Sequence, residues 1–224
     1  MNELDALRAW ADPRKAEEMQ AYHKAPRTYL GVGNPQIDAL VAEWRASRDL
    51  DGRIALASDL WASDIHEARI AAAKLLVQAR IRPDEGIWTL IAGWTPDFDG
   101  WAIADHAMIA GQKRLVAEPH RLEQVETWLD HPNTWTRRAA LVGTLPWAKM
   151  NNPKPEDLAR REQVLGWAAR LADDRDWFIQ KAIAWWLRDL SKRDAPRVRS
   201  FLAEHGARMK PFARKEAARL VQER

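Results

Sequence analysis

Two residues four apart are the first in this chain whose types could do chemistry together. Trp101 and Asp105 share one helix face at that spacing. An indole offers the negative face of its ring to a cation, and a carboxylate beside it stabilises positive charge as it develops. The competing reading makes Trp101 core and pairs Asp105 with an arginine from the next helical repeat. A second constellation lies further on. Trp185 and Arg188 are three apart, and Lys181 lies four before Trp185. A guanidinium on phosphate beside a ring that meets a sugar or base is how a nucleic-acid surface is built. The alternative is a cation–π pair packed on the surface. Trp186 points elsewhere and suits the core. Arg138 falls on the equivalent face of another helix, whereas Arg137 points about 100° away and reads as structural or solvated.

Much other chemistry is excluded. The chain has no cysteine, which removes disulfides, thiol catalysis, zinc fingers and iron–sulfur ligation. It has no Gly-rich phosphate loop, no His-Glu-x-x-His and no Gly-x-Ser-x-Gly. None of His23, His66, His106, His120, His131 and His205 lies three or four from another, so no helical metal pair is expected. His106 adjoins Asp105, but adjacent helix positions point different ways. No apolar run is long enough to span a membrane, and the N-terminus lacks a signal peptide's basic start. A cytoplasmic protein without a membrane partner is expected.

The charge is uneven. The net +3 of the 224 residues divides into −6 over residues 1–136 and +9 over residues 137–224. A basic last part suits a polyanion, although a solvated Arg-rich helical surface gives the same balance. Tryptophan supplies 13 residues against 6 for tyrosine and phenylalanine together, the reverse of the usual order.

Rigid elements must position these groups, and the pattern is helical throughout. Asp12-Pro13 and Asn34-Pro35 read as N-caps followed by the first helical residue. Asp64, Asp84 and Asp157 read as caps or first-turn carboxylates. Apolar residues recur at three and four: Leu40, Val41 and Trp44; Ile70, Ala73, Leu75 and Leu76, with Lys74 among them; Ile179, Ile183, Trp186, Leu187 and Leu190. About twelve helices with short loops are expected, and no alternating strand pattern. Helices near 98–110 and 176–190 carry the two constellations. Several helices look alike: a ring at His66, Trp135 or Phe178, a basic residue three later at Arg69, Arg138 or Lys181, then small apolar residues. Trp101 fits the same slot, with Ala104 at the basic position. Starts at 66, 101, 135 and 178 are 35, 34 and 43 apart. The expectation is an all-α solenoid of HEAT-like helical repeats forming one domain, 1–224, with a concave binding face whose rings and arginines suit a nucleic acid such as DNA. The basic residue of each repeat is expected free to line that face.

At these residues the chain resembles a known family, the AlkD-type DNA alkylation repair glycosylases. The resemblance covers nearly the whole chain. It is carried by Met19-Gln20-Ala21-Tyr22-His23-Lys24, Tyr29-Leu30-Gly31-Val32 and Pro35. Further along it rests on Trp101-x-x-x-Asp105, Trp135-x-x-Arg138-Ala-Ala-Leu141, and Phe178 through Trp185-x-Leu-Arg188. The last is the most specific; a lone Trp-x-x-x-Asp is weak. The resemblance implies a glycosylase that removes N3- and N7-alkylated purines from duplex DNA without base flipping. A monomer without cofactor is expected, and the histidine spacing gives no metal site. The resemblance makes Asp105 the catalytic carboxylate, with Trp101 and Trp185 cradling the lesion's deoxyribose and backbone. Tyr22, Arg138 and Arg188 hold the DNA, joined on α-helical spacing by Lys181.

Three positions depart from the family pattern. Many members carry Trp-Trp-Asp where Gly100-Trp101-Ala102 stands, and an arginine where this chain has Asp38. These changes bear on substrate range and affinity more than on chemistry. Two other functions fit the same fold: a non-catalytic DNA-binding repeat protein recognising altered duplexes, and a protein–protein scaffold.

Overall fold

The computed structural model describes residues 2–221. Helix accounts for 76% of the chain, and no strand occurs among the described residues. The helical-repeat architecture read from the sequence is the one found. The chain divides into two compact units after Ala117.

The first unit holds α1 (Glu3–Arg8), α2 (Pro13–His23), α3 (Asn34–Ala46), α4 (Leu50–Ala62), α5 (His66–Leu75), α6 (Glu85–Gly93) and α7 (Trp101–Ala117). Helix α5 is its centre and packs on α3, α4 and α7. It can do so because its residues are small: Ala68, Ala71, Ala72 and Ala73 are fully buried and let three helices approach closely. Asp12 caps α2, accepting from the Lys15 N–H at 3.2 Å, with Pro13 in the first turn.

A buried carboxylate ties α5 to the loop that precedes α3. Glu67 is fully buried and accepts the backbone N–H groups of Leu30, Gly31 and Val32 at 3.0, 2.7 and 3.2 Å. Gly31 makes this turn at φ +77°, and a Cβ there would lie 2.2 Å from the Asp12 carbonyl oxygen. Only glycine fits such an approach.

The second unit holds α8 (Leu122–Thr127), α9 (Thr134–Gly143), α10 (Leu145–Lys149), α11 (Pro155–Arg170), α12 (Trp177–Ser191), α13 (Ala195–His205) and α14 (Pro211–Ala217). Here α12 is central and packs on α9, α10, α13 and α14. Its apolar stripe is the one expected: Ile179, Ile183, Trp186, Leu187 and Leu190 are all fully buried. The Trp186 indole donates to the Thr144 carbonyl at 3.3 Å.

Several local expectations need correction. The described residues contain fourteen α-helices rather than about twelve, because short helices such as α8 and α10 end within two turns. Gly33, not Asn34, caps α3. Asp64 caps nothing; it sits at φ 54° and takes the guanidinium groups of Arg69 at 3.1 Å and Arg27 at 3.6 Å. The repeat's basic residue is not free. Arg69 is buried, donates to the Trp61 carbonyl at 3.2 Å and lies 4.7 Å over the Trp61 ring. Arg138 is also buried and donates to the Phe178 carbonyl at 2.8 Å. Long cationic side chains at these positions fold back over a neighbouring helix, Arg69 onto a carbonyl in the last turn of α4 and Arg138 onto one in the first turn of α12.

Candidate functional site

In the first unit the candidate chemistry gathers at the start of α7. Trp101 opens the helix, and Asp105 follows one turn later; both are half-buried. The Trp101 ring rests on α2: its centroid is 5.5 Å from His23 and 6.3 Å from Tyr22, edge-on to the latter. Tyr22 is 69% exposed, so the phenol projects from the end of α2. Behind it the rings continue. His23 lies 4.6 Å from His66, and His66 stacks on Tyr29 at 4.7 Å.

These imidazoles are uncharged at neutral pH. Burial pushes His66 down to about 3, helped by the nearby His23 and Arg27. Burial also lowers His23. His106, next to Asp105, is lowered by burial although its Nδ1–H donates to the Ala102 carbonyl at 2.7 Å and the Asp105 charge opposes the shift. A carboxylate therefore stands beside a half-exposed indole backed by neutral rings.

The departures from the family pattern have structural correlates. Asp38 takes the Lys74 ammonium at 2.5 Å. Ala102 is buried and serves through its carbonyl. At Gly100 a Cβ would meet no atom within 4 Å.

In the second unit, α12 carries the other constellation on its outward side. Trp185 is half-buried, and its indole N–H donates to Asp189 Oδ2 at 2.8 Å. The cation over its ring is Lys149, at 5.4 Å. Lys181 and Arg188 converge on one acceptor, Glu216 of α14, at 3.0 and 2.6 Å. Lys181 also lies 5.3 Å over the half-exposed Trp177 ring. Arg137 is structural, donating to Asp174 and to the carbonyls of His131 and Pro132.

The model of the DNA alkylation repair enzyme family matches residues 4–221. The chain belongs to that family. Three solved structures are similar to it along nearly their whole length. One is described as a predicted DNA alkylation repair enzyme from Enterococcus faecalis, with a TM-score of 0.78 and 20% identity over 96% of this chain and 98% of that one. The smu.31 protein of Streptococcus mutans UA159 gives 0.65 and 18%, over 96% and 100%. AlkD2 from Streptococcus mutans gives 0.62 and 18%, over 93% and 96%. At such identities the likeness shows the fold. No curated protein matches the chain.

For a DNA alkylation repair family member, the residues that sequence reading missed are mostly supports. His66 and Tyr29 back the Trp101 platform, Asp189 holds Trp185, Lys149 lies over its ring, and Glu216 engages both outward cations of α12. Spacing along one helix finds none of these but Asp189, because every other partner comes from another helix or loop. Asp189 alone had a local signal, four residues after Trp185 on one helix face. No group of three or more His, Cys, Asp or Glu is placed to hold a metal ion among the described residues, and no described helix is long and apolar enough to cross a membrane.

Proposed function

We propose that the chain is a DNA glycosylase that excises N3- and N7-alkylated purines from duplex DNA. The observation that carries this reading is the Asp105 carboxylate one turn beyond a half-exposed Trp101, backed by rings that burial keeps neutral. Such a surface favours a cation. An alkylated purine is already cationic, so the base needs no protonation to leave and the reaction calls for no cofactor. The N-glycosidic bond breaks, its electron pair neutralises the departing base, and the sugar becomes an oxocarbenium ion. Asp105 stabilises that ion and takes the proton from the water that attacks C1′. Trp101 and the exposed Tyr22 contact the sugar and backbone from outside, which supports excision without extruding the base.

In the second unit, Lys181 and Arg188 contact phosphate and Trp185 lies against the backbone through its exposed edge. Arg138 contributes less, because only 6% of it is exposed. The protein acts as a monomer on alkylated duplex DNA, in the cytoplasm.

Base release from duplexes carrying 7-methylguanine tests the reading, with a duplex carrying uracil as the neutral control. Release of the cationic base and not of uracil is expected. Binding without release of either supports the non-catalytic DNA-binding alternative; no binding supports a scaffold.

A further inference from the structure

The two outward cations of α12 are not idle in the free protein. Arg188 donates to one oxygen of Glu216 at 2.6 Å and Lys181 to the other at 3.0 Å. Lys181 and Arg188 are seven apart on α12, two turns on one face, so a single carboxylate spans both. The three side chains are 37%, 30% and 20% exposed respectively for Lys181, Arg188 and Glu216. This group is reachable from solvent yet partly shielded from it. Two cations gripping two oxygens of one anion is also the geometry in which they would grip a phosphate.

We propose that Glu216 occupies the phosphate position on α12 and competes with the DNA backbone for Lys181 and Arg188. The proposal rests on the reading of α12 as a backbone-binding helix. A phosphate approaching these cations meets a carboxylate already bonded to them and of like charge. It must displace Glu216 or share its partners. Either way the carboxylate lowers the effective positive charge offered to a duplex and so weakens sequence-independent holding. Electrostatic holding of undamaged DNA is thereby limited.

The test is fluorescence anisotropy of the full chain with a labelled undamaged duplex over a series of salt concentrations. Glu216→Gln keeps an oxygen for Arg188 and removes the charge. It is expected to bind about threefold or more tightly at low salt, and to steepen the slope of log K against log salt by about one. Glu216→Asp, which draws the charge back by a methylene, is expected to lie between it and the wild type. The Asp variant carries the test if the Gln variant melts below the assay temperature. Unchanged or weaker binding in a folded variant overturns the competition and makes Glu216 a support for the two cations. Lys181→Ala and Arg188→Ala separate the two levels. Weakened binding in those variants with no gain in Glu216→Gln overturns only the competition. Unchanged binding in both overturns the reading of α12 itself.

Discussion

Trp185 and Asp189 are joined across one turn of α12: the indole N–H reaches Oδ2 at 2.8 Å, and the same carboxylate takes Lys192 at 3.1 Å and Lys149 at 3.5 Å. Asp189 is buried while both lysines are about half exposed. Its charge is thus balanced from the solvent side, and its position orients the ring. Asp189→Ala is expected to cost about 1–3 kcal/mol, because the half-buried indole N–H loses a charged acceptor. Asp189→Asn should cost less, since an amide oxygen can still accept from the indole. Urea denaturation of both variants checks this; equal losses would show that charge, not the indole bond, is what the position supplies.

The turn at Gly31 depends on Glu67. Glu67→Ala leaves the buried N–H groups of Gly31 and Val32 and the half-buried one of Leu30 without their acceptor, and is expected to cost on the order of 3 kcal/mol or more. Gly31→Ala meets the Asp12 carbonyl oxygen at 2.2 Å and should be comparably damaging. Both losses are read by thermal or chemical denaturation. A mild Gly31→Ala would mean that the loop can move away from α2.

His66 gives the stability a pH dependence with a definite sign. Its folded value is about 3 against an ordinary 6.5, so below 6.5 the unfolded chain takes up a proton that the folded one refuses. The contribution is fully present above pH 6.5 and is lost as pH falls toward 3, by up to about 1.4 kcal/mol per pH unit. His23, also lowered, adds in the same direction. Urea unfolding at pH 7 and pH 5 should show the loss in the wild type, and a smaller one in His66→Phe. Identical pH dependence in the two proteins would place the titration elsewhere.

How much of this was legible differs by residue. The α12 stripe was readable because burial on one helix face leaves a three-and-four spacing in the sequence, and Trp186 fell on it while Trp185 did not. That Trp101 and Asp105 share one face of α7 was readable from their four-residue spacing alone. The fates of Arg69 and Arg138 were not. A cation three residues after a ring carries no mark of whether it extends into solvent or folds back onto a carbonyl of another helix. The same holds for Glu216, whose partners lie 35 and 28 residues away. Glu67 left no mark, standing between His66 and Ala68 with Arg69 close behind, and its acceptor role depends on a loop that only the fold brings near.

Arg138 illustrates the consequence. Its guanidinium holds the Phe178 carbonyl at the start of α12. Arg138→Ala is expected to lower stability by about 1–3 kcal/mol. It should flatten the salt dependence of DNA binding less than Lys181→Ala does. A larger salt effect at Arg138 than at Lys181, in folded proteins, would reverse this ranking.

The proposed excision stands or falls on stabilisation of the sugar cation by Asp105. Single-turnover excision of 7-methylguanine by the wild type and by Asp105→Asn, with duplex binding measured in parallel, tests it most directly. The variant is expected to lose about 10²–10³ in rate while its affinity for the duplex holds or rises. Excision at the wild-type rate by Asp105→Asn would contradict it.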